Sequence, residues 1–346
     1  MKTDEFLRQV TALPGVTGNE RAAAEFIAKA FEPYADEVEI TPLNSVIAHK
    51  KGKGPKVMIC AHLDEIGMMV SKIEKDGSLR MQSVGGVDPR VLPGMRVKVY
   101  GKDEVLMGVV GATPPHLMKE ADRKNNYTFE TLFVDLGLPA CEVEKKVRIG
   151  DNVCFESRYV ELKNGRVSTK TVDDRGCVAI MLRAAQRLQK MHHEADLYFV
   201  ATCQEEIGSY GAMTAGFQLD PDFGVAFDVC HAETPGAPRM YTSKIDSLVT
   251  SKGPFLHPYL VKKLEEAAKE NNVQLQVSID PRWTSTDADD LSLVRNGVPT
   301  VLLSLPLKYM HTNVETFDMH ALEEGGRLLA HYLSAMDASW EEELWN

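Results

Sequence analysis

No stretch of this sequence approaches the roughly 20 consecutive apolar residues that a membrane-crossing helix needs. The opening residues, Met1-Lys2-Thr3-Asp4-Glu5, are acidic and are not followed by a signal-peptide core, so a cytoplasmic location is expected. Basic residues are in deficit: 39 Lys and Arg against 50 Asp and Glu give a net charge of −11. That balance argues against nucleic acid and anionic membrane surfaces as partners. Cysteine is sparse and unpaired. Cys60, Cys141, Cys154, Cys177, Cys203 and Cys230 form no Cys-x-x-Cys unit, and several lie inside apolar runs, so they read as reduced thiols packed as small hydrophobes. Internal repeats and low-complexity segments are absent.

What the chain has is enough apolar material for a large core. It is 346 residues long and 44% hydrophobic, which suits one large domain or two smaller ones. Its most informative stretch is Ala61-His62-Leu63-Asp64-Glu65-Ile66-Gly67, which follows the apolar run 57–61. That run reads as a buried strand. Side chains on a strand repeat every second residue, so His62 and Asp64 are expected on one side. A carboxylate beside an imidazole can fix its tautomer and leave the other ring nitrogen for a metal.

Helical spacing of apolar residues covers 4–12 and roughly 19–32, split by Pro14-Gly15, with Thr17 or Asn19 as the expected cap of the second helix. Residues 38–49 alternate and predict a strand, and 50–55 a turn. From 68 to 163 the texture changes to short alternating runs at 68–73, 79–84, 95–100, 105–110 and 151–155, separated by Gly or charged turns. These predict an inserted β-rich domain, a small barrel. His116 lies in a Pro-rich break without a partner motif and is read as structural or substrate-adjacent. After Ser168 the pattern becomes α/β: helices over 174–191, 256–271 and 319–335, strands over 197–202, 223–229 and 300–305. Helices alternating with fully apolar strands imply a mostly parallel central sheet covered on both faces. The expected organisation is a first part of an α/β domain over 1–67, the insertion over 68–163, and the second part of the α/β domain over 164–346.

The expected strand ends carry a common chemistry. His62 and Asp64 follow the first, Gln204-Glu205-Glu206 the second, Asp228 and His231 close the third, and Tyr309-Met310-His311 follow the fourth; Asp173-Asp174 opens a helix. Open α/β sheets bind ligands at the carboxyl ends of their strands. His and carboxylates without a Cys ligand suit a divalent ion such as Zn, Co or Mn. Each piece has a plainer reading. Asp173-Asp174 can cap a helix, Asp228 can be a satisfied strand-end polar residue, and Glu205-Glu206 can be a solvated turn. That all of these hold together is improbable.

These motifs, with Val-Leu-Pro-Gly-Met-Arg-Val at 91–97, Pro-Pro-His at 114–116, Val-Arg-Ile-Gly-Asp at 147–151, Asp-Asp-Arg-Gly-Cys at 173–177, Gln-Glu-Glu-Ile-Gly at 204–208, Asp-Val-Cys-His-Ala at 228–232, Thr-Asp-Ala at 286–288 and Tyr-Met-His at 309–311, resemble the M42 metallo-aminopeptidases over nearly the whole chain. The resemblance implies a dinuclear zinc exopeptidase-type α/β fold with an inserted β domain. It implies two divalent ions per subunit: His62 and Asp228 on one, Glu206 and His311 on the other, and Asp173 shared by both. Two ions about 3.5–4 Å apart can activate a bridging water. Glu205 would be the general base that takes its proton, Asp64 would orient His62, Asp174 would be a supporting position, and His231 lies close by without being an assigned ligand. The implied substrates are small peptides, cut one residue at a time from a free N-terminus. The implied assembly is a homo-oligomer built from dimers, often a dodecamer.

Thr284-Ser285 stands where family members often carry Gly-Gly, and Lys308 where many carry Arg; Asp289-Asp290 adds charge nearby. Asp287, Asp289 and Asp290 could favour a basic substrate residue, and Lys308 or Arg282 an acidic one; a solvated helix start competes with both, and the preference stays open. Three other functions compete with this one. A deacylase or amidohydrolase on N-acyl amino acids or dipeptides shares the architecture, though the motifs at 173–175 and 204–208 favour the aminopeptidase. A glucanase lacks support, because the chain has no separated acid/base pair and only three Trp for a sugar platform. A non-catalytic assembly protein has no need of Glu205.

Overall fold

The computed structural model describes residues 1–344, with the side chain of Asp122 excepted. Two hydrophobic clusters organise it. The larger gathers the sheet and its helices, the smaller the interior of a barrel.

Among the described residues the main sheet has 11 strands. Its centre is parallel: Asp196–Thr202, Lys56–His62, Phe223–His231 and Thr300–Lys308 lie side by side in that order. All four are apolar because both faces are covered. Antiparallel strands flank this centre, so the sheet is mixed overall. Lys56–His62 has Asp196–Thr202 on one side and Phe223–His231 on the other. The chain goes from it to Asp196–Thr202 on one side and from there crosses to Phe223–His231 on the other, and such a reversal makes a crevice at the carboxyl end of the kind where α/β proteins place ligands.

The expected strand over 38–49 is a hairpin instead, Glu37–Ile40 and Val46–Lys50. Asn44 sits at φ 74°, a left-handed conformation that Asn adopts more readily than most residues, and its N–H bonds back to the Thr41 carbonyl. The expected capping by Thr17 or Asn19 also differs. The helix Arg21–Phe31 starts after Glu20 without a side-chain cap, and the Thr17 hydroxyl is committed to Asp64. The helix Val172–Leu188 packs against Met319–Ser334 and the parallel strands. It is buried nearly all round its first three turns, not on one face alone, and even Arg175 is fully buried.

The barrel closes in the order Gly67–Ile73, Leu79–Val84, Leu132–Asp135, Val105–Ala112, Arg96–Tyr100, Asn152–Phe155 and back to the first. Leu132–Asp135 completes the ring; at four residues it is too short to show a period in the sequence. Val70, Met81, Val97, Val110, Val134 and Val153 fill the interior. Among the described residues no helix is long and apolar enough to cross a membrane.

Candidate metal centre

The apolar strand Lys56–His62 delivers His62 to the sheet edge, where the imidazole is 2% exposed. Its Nε2 lies 3.1 Å from Asp173 Oδ1 and its Nδ1 3.5 Å from Asp64 Oδ1. Asp64 is fully buried and richly bonded. It accepts the Thr17 hydroxyl at 2.7 Å and the backbone N–H groups of Glu205 at 3.1 Å and Glu206 at 3.3 Å. One carboxylate therefore ties the His62 strand to the turn after the neighbouring strand.

That turn, Glu205–Ile207, begins behind Gln204 at φ 57°, which brings both glutamates back over the sheet edge. Glu206 Oε2 lies 3.5 Å from His311 Nε2, and Glu205 Oε2 lies 3.9 Å from His62 Nε2. His311 itself has φ 61°, and its Nε2 sits 3.2 Å from Asp173 Oδ2. Its other nitrogen, Nδ1, is 3.1 Å from the Gly86 carbonyl. A carbonyl only accepts, so Nδ1 carries the proton and donates to Gly86. A Cβ at Gly86 would lie 2.8 Å from that nitrogen, so the close approach needs glycine.

Asp173 thus presents one oxygen to each imidazole. It stands at the irregular start of its helix, where Asp173 and Asp174 depart from helical φ/ψ and are joined by a cis peptide bond. Asp228 is buried inside its own strand, which runs three residues further, to His231. Two sets of donors converge, each with all atoms within 4.8 Å: His62, Asp174 and Asp228, and His62, Asp173 and Glu206. Asp174 is therefore nearer the cluster than a purely supporting role requires, and its Oδ2 also accepts the His62 backbone N–H at 3.2 Å. His116 and His231 are both exposed and belong to neither set.

The charge balance is lopsided. Burial pushes Glu205 up to about 10, with Asp228, Asp287 and Glu206 adding repulsion against His62. Burial and the charge of Asp173 push Glu206 to about 8. Asp228 is raised well above the usual carboxylate range by burial and by Asp174. Burial works against the ionised form of Asp173 too, but its hydrogen bonds to His311 and His62 outweigh that and hold it below the usual range. A buried excess of carboxylates lacks positive charge. Burial works against the charged form of His311, but its hydrogen bond to Asp173 and the charge of Glu206 outweigh that and push it up to about 9. With Nδ1–H directed at the Gly86 carbonyl, a divalent cation would take the place of the proton on Nε2 between Asp173 and Glu206. The donor set fits hard-to-borderline divalent ions.

Glu315 and Lys170 carry no motif in the sequence, and Asp287 and Asp289, read there as candidates for substrate preference, are committed to internal hydrogen bonds. Glu315 is buried and accepts backbone N–H groups from Val172, Asp173 and His311. Lys170 is buried beside Glu65 and Thr171. Asp287 is 1% exposed and accepts the Thr202 hydroxyl. Asp289 binds the Thr284 and Ser285 backbone and the Thr284 hydroxyl, so it ties down its loop.

A donor cluster at the carboxyl edge of a largely parallel sheet is the arrangement of a ligand-binding or catalytic site. A profile for M42 glutamyl aminopeptidase matches residues 44–328, and the chain belongs to the M42 peptidase family. It is 38% identical to the lysyl aminopeptidase of Pyrococcus furiosus, over 96% of this chain and 98% of that one. Its fold matches a TET aminopeptidase from the marine sediment archaeon Thaumarchaeota archaeon SCGC AB-539-E09, with a TM-score of 0.95 at 28% identity, covering 99% and 98% of the two chains. It also matches the Pyrococcus horikoshii TET1 peptidase, which can assemble into a tetrahedron or a large octahedral shell, with a TM-score of 0.85 at 28% identity over 97% and 100% of the chains. The chain is an aminopeptidase-type peptidase.

Proposed function

We propose that this protein removes N-terminal residues from small peptides with the help of two divalent metal ions, Zn or Co and alternatively Mn. The observation that carries this reading is the carboxylate of Asp173, whose two oxygens point to two different imidazoles, 3.1 Å from His62 and 3.2 Å from His311. His62 and Asp228 would hold one ion, Glu206 and His311 the other, and Asp173 both. When bound, the ions would supply an acidified water and positive charge for the developing oxyanion.

The chain's own groups do the rest. Asp64, 3.5 Å from Nδ1, would orient His62 from that side. Glu205 stands on a short turn beside His62 and acts as the general base. It takes the proton of the attacking water at a carboxylate oxygen. It returns that proton to the amine nitrogen as the peptide C–N bond breaks, so no net proton is consumed at the residue. Surplus carboxylates at the site favour the positive charge of a free N-terminus.

The competing reading is hydrolysis of N-acylated amino acids. A panel of aminoacyl chromogenic amides, each with a free and an acetylated N-terminus, separates the two. Metal-stripped protein resupplied with Zn, Co or Mn should cleave only the free-amine set. Cleavage of the acetylated set would move the assignment to a deacylase.

We also infer that the insertion over 68–163 is a domain with its own core, and that copies of the chain assemble as dimers or multiples of dimers. The separate hydrophobic cluster supports the first. The second is supported by Val105, Met107 and Val109, half-exposed at alternating positions along one barrel strand. Analytical ultracentrifugation reads the assembly, and a monomer at micromolar concentration would contradict it.

A further inference from the structure

We propose that Glu315 is the positioning residue that locks the two halves of the metal centre into one frame, and that its loss selectively weakens the ion on the His311 side. The proposal rests on the two-ion reading above.

Glu315 opens the short strand Glu315–Asp318, which pairs with Arg166–Thr169 and with the end of Thr300–Lys308. These neighbours lead into the two irregular segments that present Asp173 and His311. The side chain is 3% exposed. Its two oxygens are divided between the segments. Oε2 accepts Val172 N–H at 2.7 Å and Asp173 N–H at 3.1 Å. Oε1 accepts His311 N–H at 3.1 Å.

Both segments need such a hold. Thr171 and His311 each have positive φ, at 61°, and Asp173 and Asp174 lie outside helical φ/ψ. Non-glycine residues in the left-handed region cost free energy and persist only where their surroundings fix them. A buried carboxylate taking three backbone N–H groups supplies that fixation. It does so from the backbone side, leaving the Asp173 carboxylate and His311 Nε2 free for their other partners. Glu315 therefore touches no metal in this reading and acts through two residues that do.

The division of the oxygens makes the consequence asymmetric. In Glu315→Gln only one terminal atom accepts. The carbonyl oxygen takes the place where two N–H groups converge, at Val172 and Asp173. The amide NH2 then faces the His311 N–H, donor against donor, and that buried contact is lost. Asp173 keeps its hold while the His311 loop is released.

The test is isothermal titration of the metal-stripped, full-length protein with Zn2+, with circular dichroism of the stripped protein to establish folding. Wild-type protein should bind two ions per chain. Glu315→Gln should bind one ion with affinity within threefold of wild type and the other about 10–100-fold more weakly, the range that loss of a ligand-supporting contact produces. The weakened ion should be the one that His311→Ala also weakens, so that the double variant adds little to either single change. Glu315→Asp keeps the charge but is one methylene short of reaching both segments. It should show the same loss in smaller measure, and it carries the test if the Gln variant does not fold. Wild-type affinity for both ions, or equal weakening of both, overturns the proposal. A wild-type protein that binds fewer than two ions fails at an earlier step, because that result removes the two-ion reading itself.

Discussion

Asp64 accepts the backbone N–H of Glu205 at 3.1 Å, so the residue expected to orient His62 also holds the turn that carries the proposed base. The same carboxylate takes the Glu206 N–H and the Thr17 hydroxyl. Asp64→Asn leaves one accepting oxygen where two are in use, and places an NH2 against donors. The expected outcome is a lower kcat together with metal affinity reduced about 10–100-fold. Steady-state kinetics and metal titration of the same preparation check it. Unchanged affinity with a lower kcat would confine Asp64 to the Glu205 turn.

Glu205→Gln is expected to behave differently. Glu205 belongs to neither converging donor set, so the variant should hold metal as wild type does. Its turnover should fall about 10²–10⁴-fold, the usual contribution of general acid–base catalysis. Metal content by mass spectrometry and kcat on a free-amine substrate decide the matter. Near-normal turnover would remove Glu205 from the base role.

The positions of the parallel strands and the ligand-type residues were legible because both are local. An apolar strand followed by His or a carboxylate is a short pattern, and His62, Asp173, Glu206, Asp228 and His311 all reach one crevice. What supports them is not local. Glu315 and Asp173 meet only because two distant segments pair as strands, and Gly86 reaches His311 across 225 residues of chain. Arg175 follows two aspartates at a helix start, and it is fully buried and donates to the carbonyls of Val10, Leu13 and Leu63. Such roles depend on which carbonyls lack partners, and a linear pattern does not record that. The hairpin at 37–50 reads as a single strand for a related reason, since the turn sits inside a run whose alternation continues across it.

A pH effect on stability follows from Asp196. Burial works to raise its pKa, but the hydrogen bond to His49, 2.8 Å from Nε2, and the Gly52 N–H and Tyr198 hydroxyl outweigh burial and lower it from 3.8. A carboxyl whose folded pKa is depressed contributes stability that is fully present above its unfolded pKa and is lost as pH falls through the folded value. The melting temperature of Asp196→Asn should therefore lie below wild type at pH 6, and the gap should narrow as pH drops below about 4, where an unfolded Asp titrates. Parallel melts of both proteins across that range measure it. A gap that stays constant with pH would show that the ionised form contributes nothing.

Metal removal should cost both activity and stability, because the same buried carboxylates serve each. Without cations, Glu205, Glu206 and Asp228 are ionised only against burial and mutual repulsion. Bound ions relieve that, and binding to the folded state alone adds about 4 kcal/mol per site when free metal exceeds its Kd a thousandfold. Chelator-treated protein should therefore melt at a lower temperature and hydrolyse nothing. Zn, Co or Mn should restore both properties, with the melting temperature rising with metal concentration. Because carboxylates and imidazoles must be deprotonated to bind, the metal needed for half-restoration should increase as pH falls. Protein that melts identically with and without metal would show that the cluster is held by its internal hydrogen bonds alone. Cleavage that survives exhaustive chelation would assign the hydrolysis to the side chains, with Glu205 acting on water that no ion has acidified.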